Sequence, residues 1–436
     1  MEFMLIDFTV KNYRSFKEAA TLSLAAQPLK NDGIAIYSTE FGHKILPAAG
    51  IYGANASGKS NILKGLSYAI LAVLNSNNVS FPITKHPLLQ PFMLDRQTQK
   101  EPVHFEISLW DKEQISQYNY AFQVHGDAIV TEWLEVIDRP SKKRRSRIIF
   151  ERENNTFTFH PTEGERLKRL KGFVANTALA LNVFANFADS YSRRVVTILQ
   201  NINFVDANNM SSLMMYTLER LHDDEKLKSQ VVNFIRNSDI GIQDISIDRS
   251  EMNLGEAWAQ LPKELQGIPI LNTAPGYRYE LYSRHSIYGA DGSKQKEEKT
   301  FHFGDESRGT NKLLSLSVLL FEALNEGKTV LIDELGSGLH PHLTRKIVEL
   351  FQSPVSNRFG AQLVFAGHDV LLMETNSLNR TLDLRRDQIW FTEKGEDESS
   401  EMRCLVEYKS KKEHEFAKRY LEGRFGAVPM FSFENA

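Results

Sequence analysis

The sequence predicts an α/β fold in which a phosphate-binding loop joins a buried strand to a helix. Three stretches predict it. The octapeptide Gly53-Ala54-Asn55-Ala56-Ser57-Gly58-Lys59-Ser60 fits G-x-x-x-x-G-K-[ST] at every fixed position. The apolar run Ile45, Leu46, Ala48, Ala49, Ile51, Tyr52 leads into it as a strand, and Asn61-Ile62-Leu63-Lys64-Gly65-Leu66 continues as a helix. Far downstream, Thr329-Val330-Leu331-Ile332-Asp333-Glu334 is a second short apolar strand, and it ends in two carboxylates.

The loop comes first because its chemistry is the most constrained. Gly53 and Gly58 allow the backbone to curl so that successive N–H groups, Asn55 and Asn61 among their neighbours, point at phosphate oxygens. Lys59 is expected to bridge the β- and γ-phosphates of ATP, with the Ser60 hydroxyl a ligand of Mg2+. At the end of the second strand, Asp333 is expected to hold Mg2+ through its water shell, and Glu334 to polarise the attacking water as general base. Either acid alone would read as a solvated turn after a buried strand.

Two further stretches belong to the same pattern. Upstream, Asp305-Glu306-Ser307-Arg308-Gly309-Thr310 precedes a strongly apolar helix carrying Leu313, Leu314, Leu316, Val318, Leu319 and Leu320. Ser307 and Gly309 at a helix start make an anion-binding arrangement, although a serine N-cap has the same appearance. Downstream, the strand Gln362-Leu363-Val364-Phe365-Ala366 ends in Gly367-His368-Asp369, which sets His368 beside a γ-phosphate or leaves it as a solvated loop histidine.

Four motifs in this order resemble an ABC-type ATPase head. The resemblance makes Ser307-Arg308-Gly309-Thr310 a degenerate signature loop, His368 the H-loop histidine and Ser337-Gly338-Leu339-His340 the D-loop. More than half the chain separates the phosphate loop from the carboxylate strand, which suits the RecF/SMC-like branch. The start Phe8-Thr9-Val10-Lys11-Asn12-Tyr13-Arg14-Ser15-Phe16 is similar to that branch's first strand and turn, which makes Arg14 a candidate phosphate contact. The Q-loop glutamine has no clear position: Gln90 sits early, and Asn182 and Asn186 sit late. Softer similarity around Pro91-Phe92-Met93-Leu94-Asp95, Glu132-Trp133-Leu134 and the tail Tyr420-Leu421-Glu422-Gly423-Arg424-Phe425-Gly426-Ala427-Val428-Pro429 resembles stand-alone bacterial abortive-infection and anti-phage ATPases of the AbiL, RloA or PARIS kind.

The resemblance implies a fold class: α/β, a P-loop NTPase of ABC-ATPase head type with an inserted, largely helical subdomain. The expected divisions are residues 1–135 with the phosphate loop, 136–300 as the insertion, and 301–436 with signature, carboxylate strand and histidine. Within the first, Val103 to Leu109 and Tyr118 to Val124 flank a polar turn and predict an antiparallel hairpin. From 165 to 240 the pattern is helical, as in Leu227, Val231, Val232, Phe234 and Ile235. The strand-like Tyr277-Arg278-Tyr279-Glu280-Leu281-Tyr282 lies in a polar stretch expected to form an exposed arm. Asp244, Asp248 and Glu251 do not make a convincing metal site.

Composition bounds the partners. A net charge of −3 argues against a uniformly basic nucleic-acid binder. One basic run, Lys142-Lys143-Arg144-Arg145-Ser146-Arg147, reads either as a solvated hairpin tip or as a phosphate-backbone contact. No apolar run reaches the roughly 20 residues of a membrane span, and the first residues do not read as a signal peptide. With one cysteine, Cys404, an internal disulfide is excluded, and a cytoplasmic setting is expected. The resemblance implies an ATP-hydrolysing switch that dimerises around nucleotide, or assembles further, and controls a separately encoded effector such as a nuclease or toxin. The alternative is a RecF-like, ATP-gated nucleic-acid clamp of DNA repair or chromosome maintenance. Too few residues follow His368 for a fused nuclease domain of TOPRIM kind.

Overall fold

A computed structural model describes residues 3–29, 33–78, 80–138, 145–162, 164–187, 189–207, 211–238, 240–252, 276–373, 384–408 and 416–428. They form two compact units, one of residues 1–208, 323–337 and 341–436, the other of 209–322 and 338–340.

The first unit holds two large sheets. One is antiparallel, with the order β10 (Thr156–Phe159), β9 (Arg145–Glu153), β8 (Ala128–Asp138), β7 (Ser116–His125), β6 (Val103–Asp111), β1 (Phe3–Lys11), β2 (Ala20–Ser23). The expected hairpin is its β6–β7 pair. Its turn is fixed by Asp111, whose carboxylate accepts the amides of Glu113 and Gln114 at 3.0 and 3.1 Å. The other sheet has the order β11 (Ile202–Asp206), β15 (Thr329–Asp333), β16 (Gln362–Ala366), β5 (Ala48–Gly53), β17 (Ile389–Lys394), β18 (Ser400–Cys404). Its first five strands are parallel and β18 returns antiparallel. Every residue of β5, β15 and β16 is buried, which is why these strands read as unbroken apolar runs rather than alternations. A small ribbon, β3 (Tyr37–Ser38) with β4 (Lys44–Ile45), precedes β5.

Helix α1 (Lys59–Leu74) contacts strands of both sheets, and its apolar residues join one continuous core with Phe8, Val10, Phe105, Leu331 and Val364. Close approach is built in at Gly65, where a Cβ would lie 3.0 Å from Val10 and 3.1 Å from Tyr13. Helices α2 (Ala180–Asn186) and α3 (Ser190–Leu199) follow, the latter capped by Asp189, which accepts the Ser192 amide at 2.8 Å. Cys404 is buried, and burial pushes its thiol up to about 12.

One fully buried amide ties the sheets together. Gln362, at the start of β16, accepts from the Leu5 amide at 2.7 Å and the Thr329 hydroxyl at 3.0 Å, and donates to the carbonyls of Leu5 (2.9 Å) and Leu46 (3.3 Å). Leu5 turns its backbone to this side chain where β1 slips register against β6, between Leu5 and Asp7.

The second unit is mixed. Helices α4 (Ser211–Asp223) and α5 (Glu225–Arg236) and the first turns of α6 (Arg308–Glu326) share a core with the antiparallel sheet β12 (Ile242–Met252), β13 (Gly276–Tyr288), β14 (Lys294–His302). Leu221, Val231, Ile235, Ile245, Leu314 and Val318 make that core. Helices α7 (Pro341–Gln352) and α8 (Phe416–Leu421) belong to the first unit.

Several expectations shift. The division at 135 falls inside β8, and the compact units part at Asn208 instead, because β8 is laddered on both sides within its sheet. The stretch 165–240 carries α2 to α5, but residues 165–179 form only turns and two single 3-10 turns, and β11 pairs parallel with β15 at the sheet's edge. Five residues are too few to interrupt a helical periodicity read over longer windows. In the basic run, Arg147 is buried, ion-paired with Asp138 and packed over Tyr191, so its charge is spent inside the fold rather than offered to a nucleic acid. Arg145 is exposed, and Lys142, Lys143 and Arg144 lie outside the described residues.

Replacing Gln362 with leucine would strand the Leu5 amide and the Thr329 hydroxyl in a dry interior, at about 1–3 kcal/mol for each unsatisfied group. Gln362→Leu is expected to lower stability by about 3 kcal/mol or more in urea unfolding. A loss below about 0.5 kcal/mol would show that the amide does not clamp the sheets.

Candidate functional site

The loop between β5 and α1 takes its shape from backbone that side chains cannot follow. Gly58, the residue before the helix, has φ +113°, and Gly53 has φ +157°. A Cβ on Gly58 would lie 2.6 Å from the Ser400 hydroxyl and 3.0 Å from that of Ser15, and one on Gly53 would strike the Thr392 carbonyl. No side chain caps α1, so its first amides remain for an anion.

The loop's walls come from distant parts of the chain. Ser57 and Thr392 share a hydroxyl–hydroxyl hydrogen bond of 2.6 Å, linking the loop to β17. The Ser400 hydroxyl donates to the Ser57 carbonyl at 2.7 Å, and the Ser400 amide to the Ser15 carbonyl at 2.6 Å. Asn61 donates to the Ser15 hydroxyl at 2.8 Å. Together these groups bound a cleft of about 420 Å³ lined by Ser15, Asn55, Ser57, Lys59, Glu334 and Lys394, among others.

Lys59 lies folded back over the loop, its ammonium donating to the carbonyls of Gly53 and Ala54, each at 2.9 Å. Burial lowers its pKa, while the charges of Glu334 and Asp333 oppose the shift. Ser60, next in the helix, donates its hydroxyl to Asp333 Oδ1 at 2.9 Å, so the loop and the end of β15 meet directly. Burial raises the Asp333 pKa, the Ser60 hydrogen bond and Lys64 working against it.

Glu334 leaves β15 in the left-handed region, φ +59°, a conformation that costs a non-glycine residue about 1 kcal/mol or more. The Leu335 amide behind it donates to the Ala366 carbonyl at 3.1 Å, which holds the turn to the end of β16. His368 follows that strand, and its Nε2 lies 3.7 Å from Glu334 Oε1. Burial and the nearby Lys59 charge lower the His368 pKa, and Glu334 partly restores it. The imidazole is therefore neutral at pH 7, with one nitrogen able to donate and the other to accept.

Lys59, Ser60, Asp333, Glu334 and His368 are thus brought together as the sequence expects. Arg14 is not among the cleft-lining residues. Its guanidinium donates to the carbonyls of Pro87 and Leu88 and to the Tyr13 hydroxyl, so it braces a loop, and its neighbour Ser15 faces the cleft instead. Neither Gln90 nor Asn182 lines the cleft: the Gln90 carbonyl accepts the Arg14 amide at 2.8 Å, and Asn182 donates to the Val73 carbonyl near the end of α1.

In the second unit, Ser307 caps α6, its hydroxyl accepting the Thr310 amide at 3.1 Å, while the residue itself stays exposed. Gly309 packs so closely that a Cβ would lie 2.8 Å from the Gly338 carbonyl. The signature stretch and the Gly338–His340 stretch are therefore neighbours.

Residues 48–374 match the family described as "AAA domain, putative AbiEii toxin, Type IV TA system". The chain belongs to this family. Fold and motif order agree with the ABC-type head that the sequence resembles, and the family supports nucleoside-triphosphatase activity in general. Among solved structures, an SMC head bound to the C-terminal winged-helix domain of ScpA is 12% identical with a TM-score of 0.43, covering 92% of this chain and 97% of that one. The SMC head domain of Thermotoga maritima is also 12% identical, with a TM-score of 0.37 and coverage of 92% and 98%. No curated protein matches the chain.

The donors present fit ATP and Mg2+. Loop amides and Lys59 suit phosphate, and the hydroxyl of Ser60 beside a carboxylate of Asp333 suits a hard cation that also takes phosphate oxygens. Among the described residues no group of three or more His, Cys, Asp or Glu is placed to hold a metal. No described helix is long and apolar enough to cross a membrane.

The His368–Glu334 pair gives a titration prediction. Burial disfavours the charged ring, so the folded protein holds His368 neutral to lower pH than the unfolded chain does. The stability this contributes is present above the ordinary imidazole value of 6.5 and is lost as pH falls through the lowered one. An NMR titration of the nucleotide-free protein should place the His368 midpoint below 6.5, and Glu334→Gln should move it lower still. A midpoint raised by Glu334→Gln would contradict this account of the pair.

Proposed function

We propose that this protein binds ATP and Mg2+ in the cleft, hydrolyses the γ-phosphoryl bond and dimerises around the nucleotide. The observation that carries the reading is the meeting of Ser60 with Asp333 at 2.9 Å, beside Lys59 and one residue from Glu334. In this reading Lys59 leaves the Gly53 and Ala54 carbonyls for the β- and γ-phosphates, and Gly53, Asn55, Gly58 and Asn61 shape the amide cradle around them. Ser60 and Asp333 hold Mg2+, which supplies charge neutralisation at the phosphates. Glu334 takes the proton of the attacking water, and neutral His368 orients that water or donates to the γ-phosphate. Exposed Ser307 and half-buried Gly309, at the start of α6, present helix amides to nucleotide held by a second subunit.

The biological setting proposed is regulation in a bacterial anti-phage defence system, with a separate nuclease or toxin as effector. The family's description as a putative AbiEii toxin supports a defence role. An ATP-gated nucleic-acid clamp also fits the family and fold; within the basic run Arg147 is buried against Asp138 and Arg145 is exposed.

Glu334→Gln is the direct test of the chemistry. It should bind ATP as the wild type does and hydrolyse it about a hundredfold more slowly, the scale of a lost general base. Near-wild-type turnover would move the role to another residue.

Composite sites make a second prediction. Ser307→Arg and Lys59→Ala chains should each be inactive alone, and a mixture that exchanges subunits should regain part of the ATPase rate. Heterodimers place both lesions in one site and leave the other intact. Full activity of Ser307→Arg alone would remove the residue from the site.

A further inference from the structure

Ser283 sits fully buried on β13, the central strand of the second unit's sheet, and a hydroxyl buried there needs a partner. It lies opposite Ile245 of β12 and Phe301 of β14. Side chains two apart on a strand share a face, so Leu281, Ser283 and His285 point the same way. Leu281 enters the core that holds Leu314 and Val318 of α6. Past it the face turns polar, and there Glu306 meets it. The Ser283 hydroxyl donates to Glu306 Oε1 at 2.6 Å, and His285 Nε2 lies 2.8 Å from the same oxygen. A carboxylate has no hydrogen to give, so the Nε2 atom carries it. Phe301 sets the plane of that imidazole, meeting it edge-on at 5.4 Å and 81°.

Glu306 is the residue before Ser307. The chain enters this turn from Phe303, which is buried in the same core, and the Gly304 amide donates to His302 Nδ1 at 3.1 Å. It leaves into α6, where Asn311 donates to the carbonyls of Glu306 at 3.2 Å and Ser307 at 3.1 Å. Those bonds tie the turn to its own helix. The Glu306 carboxylate ties it to β13, a strand that carries no motif of nucleotide chemistry. The direction of Ser307 and of the first α6 amides therefore depends on that strand.

We infer that Glu306, held by Ser283 and His285, is a positioning residue that fixes the entry into α6 and so the aim of Ser307. The inference deepens the proposed ATP reading and rests on it for its effect on turnover, because the nucleotide concerned is held by a second subunit. A turn already fixed leaves less ordering for the moment when subunits close on nucleotide. Removing the carboxylate also strands the buried Ser283 hydroxyl.

Two substitutions separate the brace from the charge. Glu306→Leu keeps the bulk and removes the acceptor, whereas Glu306→Gln keeps an acceptor oxygen for both donors. Hydrogen exchange followed by mass spectrometry on the nucleotide-free full chain should show faster exchange from Phe303 to Lys312 in Glu306→Leu. Glu306→Gln should exchange as the wild type does, and the phosphate loop should be unchanged in both. Glu306→Leu should lower kcat about threefold to tenfold, the scale of one lost hydrogen bond, and leave the Kd for ATP as it was. Mixing assigns the lesion to one side of the composite site: Glu306→Leu chains should complement Lys59→Ala chains and fail to complement Ser307→Arg chains. Wild-type exchange from Phe303 to Lys312 in Glu306→Leu overturns the inference whether or not ATP binds. Glu306→Gln exchanging as fast as Glu306→Leu overturns it too, and so does complementation of Ser307→Arg in place of Lys59→Ala. If Glu306→Leu does not fold, Ser283→Ala removes the same bond from its other end and replaces it in each measurement. Should the exchange results hold while Ser307→Arg and Lys59→Ala chains exchange subunits and regain no rate, the composite site of the proposed function falls and the bracing of α6 stands.

Discussion

The structure depends on the burial of one strand, β5, inside a sheet whose other members come from later in the chain. Its backbone groups have no water to bond, so they must be paired on both sides. β16 and β17 supply those pairs in parallel register, Leu363 opposite Ala48 and Ile389 opposite Gly50. Parallel strands need crossover connections, and the one between β11 and β15 carries residues 209–322 of the second unit. Loop-closure entropy grows only slowly with the length of the closed loop, so a long insertion is tolerated once the ladder has formed. The strand order then fixes the chemistry: β5 ends at the phosphate loop, β15 at the paired carboxylates and β16 at His368.

Charge in the cleft follows from that convergence. A buried lysine, two acids and a histidine sit at the C-terminal ends of parallel strands, where burial and the charges of Lys59, Asp333 and Glu334 act on their neighbours. Without nucleotide the Lys59 ammonium satisfies itself on loop carbonyls, and the Ser60 hydroxyl satisfies Asp333. Both contacts are local substitutes of the kind that a charged ligand exchanges for stronger, charge-assisted ones.

How much of this was legible in the sequence varies with the range of the interaction. Phosphate loop, carboxylate strand and histidine are encoded locally, as glycine, lysine and acid at fixed spacings, and each falls where the pattern puts it. The β6–β7 hairpin is equally local, because its register comes from a polar turn between alternating strands. β11 was lost in a helical stretch, since five residues with mixed burial carry little periodicity. Thr392 and Ser400 leave no trace at all, and Ser15 lies in a stretch whose signal pointed to its neighbour Arg14. Each is an ordinary hydroxyl residue whose role exists only because β17 and β18 fold back beside the loop. Arg14 and Arg147 show the converse: a positive charge has a sequence signal, but its partner across the fold does not.

Cys404 carries a practical consequence. With its thiol buried and its pKa pushed up to about 12, the thiolate fraction near neutral pH is on the order of one molecule in ten thousand or less. It is the single cysteine of the chain. A cysteine introduced at any exposed position would be the sole reactive sulfur, and maleimide probes or spin labels could be placed on the natural background with nothing to remove first.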